Sequence, residues 1–230
     1  MRTVGILGGM GPEATVLLMQ KIIAAVPARD DADHIPLIVD QNSQVPSRIA
    51  RLIEGTGADP APVLVAMAKR LEGAGAMALA MPCNTAHHYA SDIRAAVNIP
   101  FLDMVAASAR AALAVAGLGG KVGLLASPAV AKVGLFDGAL AALGLEVIHP
   151  ADGAALLDAI REIKAHGPTD AARAALQAAS GALLAKGAKV QLIACTEFSL
   201  IADAVAPGAR AIDTLDVLVN EIVGFARASA

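Results

Sequence analysis

V-G-I-L-G-G at Val4–Gly9 returns as V-G-L-L-A-S at Val122–Ser127, and A-M-A-L-A-M-P-C-N-T at Ala76–Thr85 returns as A-K-V-Q-L-I-A-C-T-E at Ala188–Glu197. The two pairs fall in the same order and at similar spacing. Each half opens with a short apolar run closing in small residues, and later delivers a second run that ends in a polar loop carrying a cysteine. Solenoids need three or more repeats of about 20 to 50 residues. A single long-period duplication instead predicts two similar lobes related by a pseudo-twofold.

Between these runs the apolar periodicity turns helical, the pattern of βαβ units on a mostly parallel sheet. Strands are expected over Thr3–Leu7, Leu37–Asp40, Ala76–Met81, Phe101–Leu102, Lys121–Leu125, Glu146–His149, Val190–Ala194 and Ala211–Ile212. Helices are expected over Pro12–Val26, Pro60–Glu72, Thr85–Ala95, Met104–Ala116, Val130–Leu143, Ala154–Ala165, Thr169–Lys186 and Thr214–Ala228. The fold class is therefore α/β, with two similar three-layer lobes, and 230 residues suffice for two cores. The first lobe is expected over residues 1–104 plus 210–230, with the final helix returning to it, and the second over 105–209. Ligands bind outside the carboxyl ends of parallel strands, where both cysteines fall. The active site is accordingly expected in the cleft between the lobes.

Composition excludes several classes of function. Hydrophobic residues make up 56% of the chain, yet Gly, Pro, Asp or Lys interrupts every apolar stretch before the ~18 residues of a membrane span. A net charge of −3 without charge runs offers nothing to nucleic acid or an anionic membrane. With 2% aromatics, no Trp and one Tyr, base-stacking platforms are not expected either. The opening residues lack the pattern of a signal peptide, so a cytoplasmic location is expected. Two cysteines do not make a disulfide framework, and they matter, if at all, as thiols.

A single cysteine is more often a small buried hydrophobe than a reactive group. A thiol between a strand end and a helix start gains from the helix dipole, which favours thiolate. Two such thiols, Cys83 and Cys195, at matching points of two lobes suit proton transfer on opposite faces of one substrate. Inversion of a stereocentre by deprotonation needs that arrangement.

G-I-L-G-G-M-G-P-E-A-T at Gly5–Thr15, Q-N-S-Q-V-P-S-R at Gln41–Arg48, M-P-C-N-T-A-H at Met81–His87, R-E-I-K-A-H-G at Arg161–Gly167 and A-C-T-E at Ala194–Glu197 resemble, in order, the cofactor-independent aspartate racemase family. The resemblance implies that Cys83 and Cys195 are the catalytic acid/base pair, one thiolate and one thiol, with no pyridoxal phosphate or metal. It implies a small amino-acid substrate and a homodimer. Asn84, Thr85 and Ala86, with Thr196, then surround the α-carboxylate where carbanion charge accumulates. Arg48 is the bidentate reader of the side-chain carboxylate and Lys164 a second cation. Met10 and Ser127 complete the binding set. Glu197 stands where glutamate racemases carry a histidine; a carboxylate there raises the thiol's pKa or accepts its hydrogen bond.

Some positions depart from the family pattern. Ser127 precedes Pro128 where the family often has threonine or glycine, and Ser43 and Ser47 replace a usual proline and acid. Glutamate racemases carry an acid-bearing loop after the first strand, where this chain has Gly8–Pro12. Hydantoin racemases and maleate isomerases are neighbours in the superfamily. Other readings use the same residues. Gly9–Ala14 satisfies G-x-G-x-x-A with Asp40 ending the next strand, a short dinucleotide fingerprint whose loop Pro12 interrupts. Cys83, His87, His88 and Cys195 are ligand types for zinc, but their spacing is not that of paired zinc motifs. A non-catalytic amino-acid-binding protein would keep Arg48, Asn84 and Thr85 without needing both thiols.

Overall fold

The structure, a computed structural model, describes residues 1–228. Among these, the strands are β1 (Val4–Gly8), β2 (Leu37–Gln41), β3 (Ala78–Ala80), β4 (Phe101–Leu102), β5 (Lys121–Ala126), β6 (Glu146–Ile148), β7 (Val190–Ala194) and β8 (Arg210–Asp213). The α-helices are α1 (Pro12–Ala25), α2 (Ala61–Gly73), α3 (Ala90–Ala96), α4 (Met104–Ala116), α5 (Pro128–Lys132), α6 (Asp137–Ala141), α7 (Gly153–His166), α8 (Asp170–Ala185) and α9 (Thr214–Arg227). The chain forms two compact units, Met1–Met104 with Leu215–Ala230, and Val105–Thr214.

In the first unit the strands are all parallel, in the order β2-β1-β3-β4. β1 is buried along its whole length because helices cover both faces of the sheet, which is why it reads as an apolar run without alternation. One face packs Leu7, Leu79 and Met81 under Leu64, Met67 and Leu71 of α2 and Ile93 of α3. The other packs Val4, Ile6 and Ala80 under Leu18 and Ile22 of α1 and Leu215, Leu218 and Ile222 of α9.

The second unit repeats this plan with the all-parallel order β6-β5-β7-β8. Leu156, Ile160 and Ile163 of α7, with Leu176 and Leu183 of α8, cover one face. Val105, Ala109 and Ala112 of α4, with Val130, Phe136 and Leu140, cover the other. The repeat reaches single residues. A Cβ on Gly5 would lie 2.9 Å from Ala76 Cβ, and one on Gly123 would lie 2.9 Å from Leu183 Cδ1. Each central strand thus carries a glycine where a neighbouring side chain leaves no room for a Cβ.

Local differences from expectation have physical causes. The helix expected over Val130–Leu143 is two short ones, because Gly134 adopts φ +60° and breaks the spiral. The helix expected to start at Thr85 is a 3-10 turn over Thr85–Tyr89, and α3 starts at Ala90. The strand expected over Ala76–Met81 is paired only over Ala78–Ala80. The second unit extends past the expected residue 209, because Arg210–Asp213 pairs with β7, and the chain rejoins the first unit at Leu215.

Candidate active site

In the first unit, three sequence-predicted segments leave the carboxyl edge of the sheet, after β1, β2 and β3. Gly9 has φ +90°, and its N–H donates to Thr15 Oγ1 at 2.9 Å. A Cβ there would fall 2.4 Å from the Asn42 carbonyl carbon, so this glycine lets the loop after β1 meet backbone after β2. Gly9, the first glycine of the dinucleotide fingerprint, is thus packed against the protein's own chain. Asp40, the acid of that fingerprint, is paired with Arg70 at 2.7 Å.

Met10, Val45, Cys83 and Ala86 are buried in one apolar cluster, which assembles the three loops. Arg48 donates from Nη1 to the carbonyls of Val45 (3.3 Å) and Pro46 (3.0 Å), while its Nε is buried without a hydrogen-bond partner. Its own loop thus holds the guanidinium and leaves one donor unused. Cys83 is 6% exposed, Asn84 and Ala86 are buried, and Thr85 is half-buried.

His87 fixes the cysteine loop from below. Its Nε2 accepts the Met104 N–H at 3.3 Å, so Nδ1 carries the proton and donates to the Cys83 carbonyl at 2.8 Å. Burial pushes its pKa down, against the opposing pull of that carbonyl, which keeps the ring neutral. Both ring nitrogens are therefore committed to backbone, and His87 is a positioning residue for the loop that carries Cys83.

In the second unit, Ser127 is buried at the N-cap of α5, just after β5, and its side chain does not cap that helix. Cys195 and Thr196 follow β7 and are buried. The Cys195 thiol donates to Glu197 Oε2 at 3.0 Å, and the other oxygen of that carboxylate is ion-paired with Lys164 from the last turn of α7. Burial first, then the charge and hydrogen bond of Glu197, push the thiol's pKa well above its ordinary value, with Lys164 pulling the other way.

The expectation of a dipole-activated thiolate does not hold at Cys195. The segment after it is a 3-10 turn over Phe198–Ala204, and burial, with the carboxylate behind it, holds the proton on the sulfur. Lys164, read as a substrate cation, is engaged by Glu197. Sequence reasoning noted the thiol–carboxylate contact and missed the ion pair behind it, because Lys164 and Glu197 meet only through the packing of α7 on the sheet. The structure joins Met10 and Cys83 in one unit, and Lys164, Cys195 and Glu197 in the other.

The family described as Asp/Glu/Hydantoin racemase matches residues 7–222. The chain belongs to this family, which is one of isomerases. It is similar to the Picrophilus torridus aspartate racemase, with a TM-score of 0.85, 26% identity and coverage of 98% of this chain and 94% of that one. An aspartate racemase homologue from Pyrococcus horikoshii OT3 shares the fold at a TM-score of 0.76, with 24% identity, covering 99% and 100% of the two chains. The broad specificity amino-acid racemase RacX of Bacillus subtilis (strain 168) is 33% identical over 106 residues, 44% of this chain. The matched segment spans 45% of that relative's length.

Proposed function

We propose that the protein is a cofactor-independent racemase that interconverts L- and D-aspartate by two-base proton transfer, with Cys83 and Cys195 as the acid/base pair. One observation carries the reading: the two thiols follow β3 and β7, which hold the same place in two sheets of the same strand order. One sulfur removes the α-proton as thiolate while the other, as thiol, delivers a proton to the opposite face of the carbanion. Reversal of the two roles converts the other enantiomer.

The difficulty without an electron sink is the charge that builds on the α-carboxylate as the proton leaves. Donors already in place lower that cost, since they need no reorganisation when the charge appears. Asn84, Thr85 and Ala86 after β3, with Thr196 after β7, take this role in the reading. Arg48 reads the second carboxylate, supported by a planar fork with a buried, unused Nε. Met10 and Ser127 shape the site beside these groups.

A second reading keeps the chemistry and widens the substrate. Lys164 spends its charge on Glu197, which weakens the demand for a side-chain carboxylate, and a relative is named a broad specificity amino-acid racemase. Two free thiols accord with a reducing, cytoplasmic compartment, and the family resemblance supports a homodimer.

Incubation of the purified protein with L-aspartate in heavy water, without added cofactor, tests the proposal. Loss of the α-proton signal with growth of D-aspartate is the expected result. No exchange with aspartate, and none with a panel of other amino acids, would remove the racemase reading; exchange with the panel alone would favour the wider one.

A further inference from the structure

The Cys195–Glu197–Lys164 chain holds more than a two-thiol reaction strictly requires. Glu197 is 8% exposed, and both its carboxylate oxygens are engaged, one by the thiol and one by the Lys164 ammonium. A carboxylate kept this far from solvent has a desolvation cost, which an ion pair and a hydrogen bond together offset. Its geometry is set by two different elements, the loop after β7 and the last turn of α7.

Resting on the racemase reading above, we propose that Glu197 is a third catalytic group. Its carboxylate holds the Cys195 proton in a hydrogen bond at rest, receives that proton when this sulfur must act as base, and gives it up to solvent once the sulfur has taken the substrate's α-proton. In the receiving step the S–H bond breaks, an O–H bond forms on Oε2, and the sulfur keeps the electron pair as thiolate. When Cys195 acts as acid, its S–H bond breaks, a C–H bond forms on the substrate carbanion, and the sulfur again keeps its electron pair.

Lys164 is the positioning residue of this pair, acting on the sulfur through Glu197. Once Glu197 holds the proton, the thiolate faces a neutral carboxyl group in a buried loop rather than water, and this desolvation keeps it basic enough to remove a weakly acidic α-proton. The lysine keeps the pair from becoming too unfavourable to ionise. Glu197 from the cysteine's own loop and Lys164 from α7 are the charged groups that act on Cys195, in opposite directions. Their effects on the thiol are therefore separable by substitution.

The chain has two cysteines, so Cys83→Ala leaves Cys195 as the sole thiol. In that background, carbon-13 NMR of labelled cysteine β-carbon follows its ionisation without substrate. Glu197→Gln is expected to lower the titration midpoint by about one pH unit or more, and Lys164→Met to raise it. An unmoved midpoint in Glu197→Gln, or shifts of the same sign in both, would overturn the inference. Should Glu197→Gln not fold, the direction of the Lys164→Met shift decides alone.

In the protein with both cysteines, Glu197→Gln is expected to lower kcat/KM by about 10²-fold. The factor is the same for either enantiomer, because racemisation has an equilibrium constant of one. A merely structural role would reduce the yield of folded protein without moving the midpoint. Failure of the racemase reading would show as no exchange in the unsubstituted protein. Failure of this inference would show as an unmoved midpoint, or an undiminished rate, in a protein that does exchange.

Discussion

The loops after β3 and β7 leave equivalent strands of two sheets with one strand order, yet they hold their cysteines by different atoms. Cys83 is gripped through its backbone: a neutral His87 binds its carbonyl and ties it to the Met104 N–H. Cys195 is gripped through its sulfur: Glu197 accepts the thiol proton, and Lys164 anchors Glu197. The two units share the strand order and a tight glycine in each central strand, while the surroundings of the two cysteines differ. A chemically symmetric reaction does not demand identical acid/base groups; it needs each of them to be reachable in both protonation states.

The largest expected effect comes from removing the sulfurs themselves. Cys83→Ser and Cys195→Ser should each lower kcat by about 10³-fold or more with circular dichroism unchanged, since a hydroxyl is a far poorer acid/base near neutral pH. Near-full activity in either variant would break the pairing of the two loops.

The shared frame makes a smaller, matched prediction. Gly5→Ala and Gly123→Ala both press a Cβ against a neighbour at 2.9 Å and should each cost about 1–3 kcal/mol in denaturant unfolding. A large cost at one glycine and none at the other would show that the two sheets are not equally packed.

The smallest effect concerns the backbone grip on Cys83. His87→Phe removes two hydrogen bonds and retains most of the ring packing, so a loss of about 1 kcal/mol at neutral pH is expected. Its sign with pH follows from burial. The folded-state pKa lies below the ordinary value near ~6.5, so the unfolded chain takes up a proton first as pH falls. Stability is present above about pH 6.5 and declines below it until the folded pKa is reached. In His87→Phe this decline should flatten, and an unchanged slope would assign it to other groups.

Much of this arrangement was legible in the residues. β1, β5 and β7 are apolar runs buried on both faces, and the cysteines stand at strand ends that any parallel-sheet reading marks as ligand-facing. What the sequence concealed lies beyond local pattern. Gly134 divides one helical period into two helices through a left-handed residue. The turns after both cysteines wind as 3-10 rather than α, which apolar spacing over five to seven residues does not distinguish. The Lys164–Glu197 pair depends on where α7 docks, and the role of His87 depends on backbone groups of two separate segments.

The return of α9 to the first unit bears on how the chain is made. Leu215, Leu218 and Ile222 complete the apolar face formed by Val4, Ile6 and Ala80, and Arg2 Nε donates to the Phe225 carbonyl at 2.9 Å. All of the second unit lies between these partners in sequence. A chain emerging from the ribosome can therefore finish its second unit while the first still exposes an uncovered sheet, so the part synthesised earliest is completed last. Premature termination before Leu215 would strand that apolar face in water, and the newborn first unit is the segment for which chaperone attendance matters most.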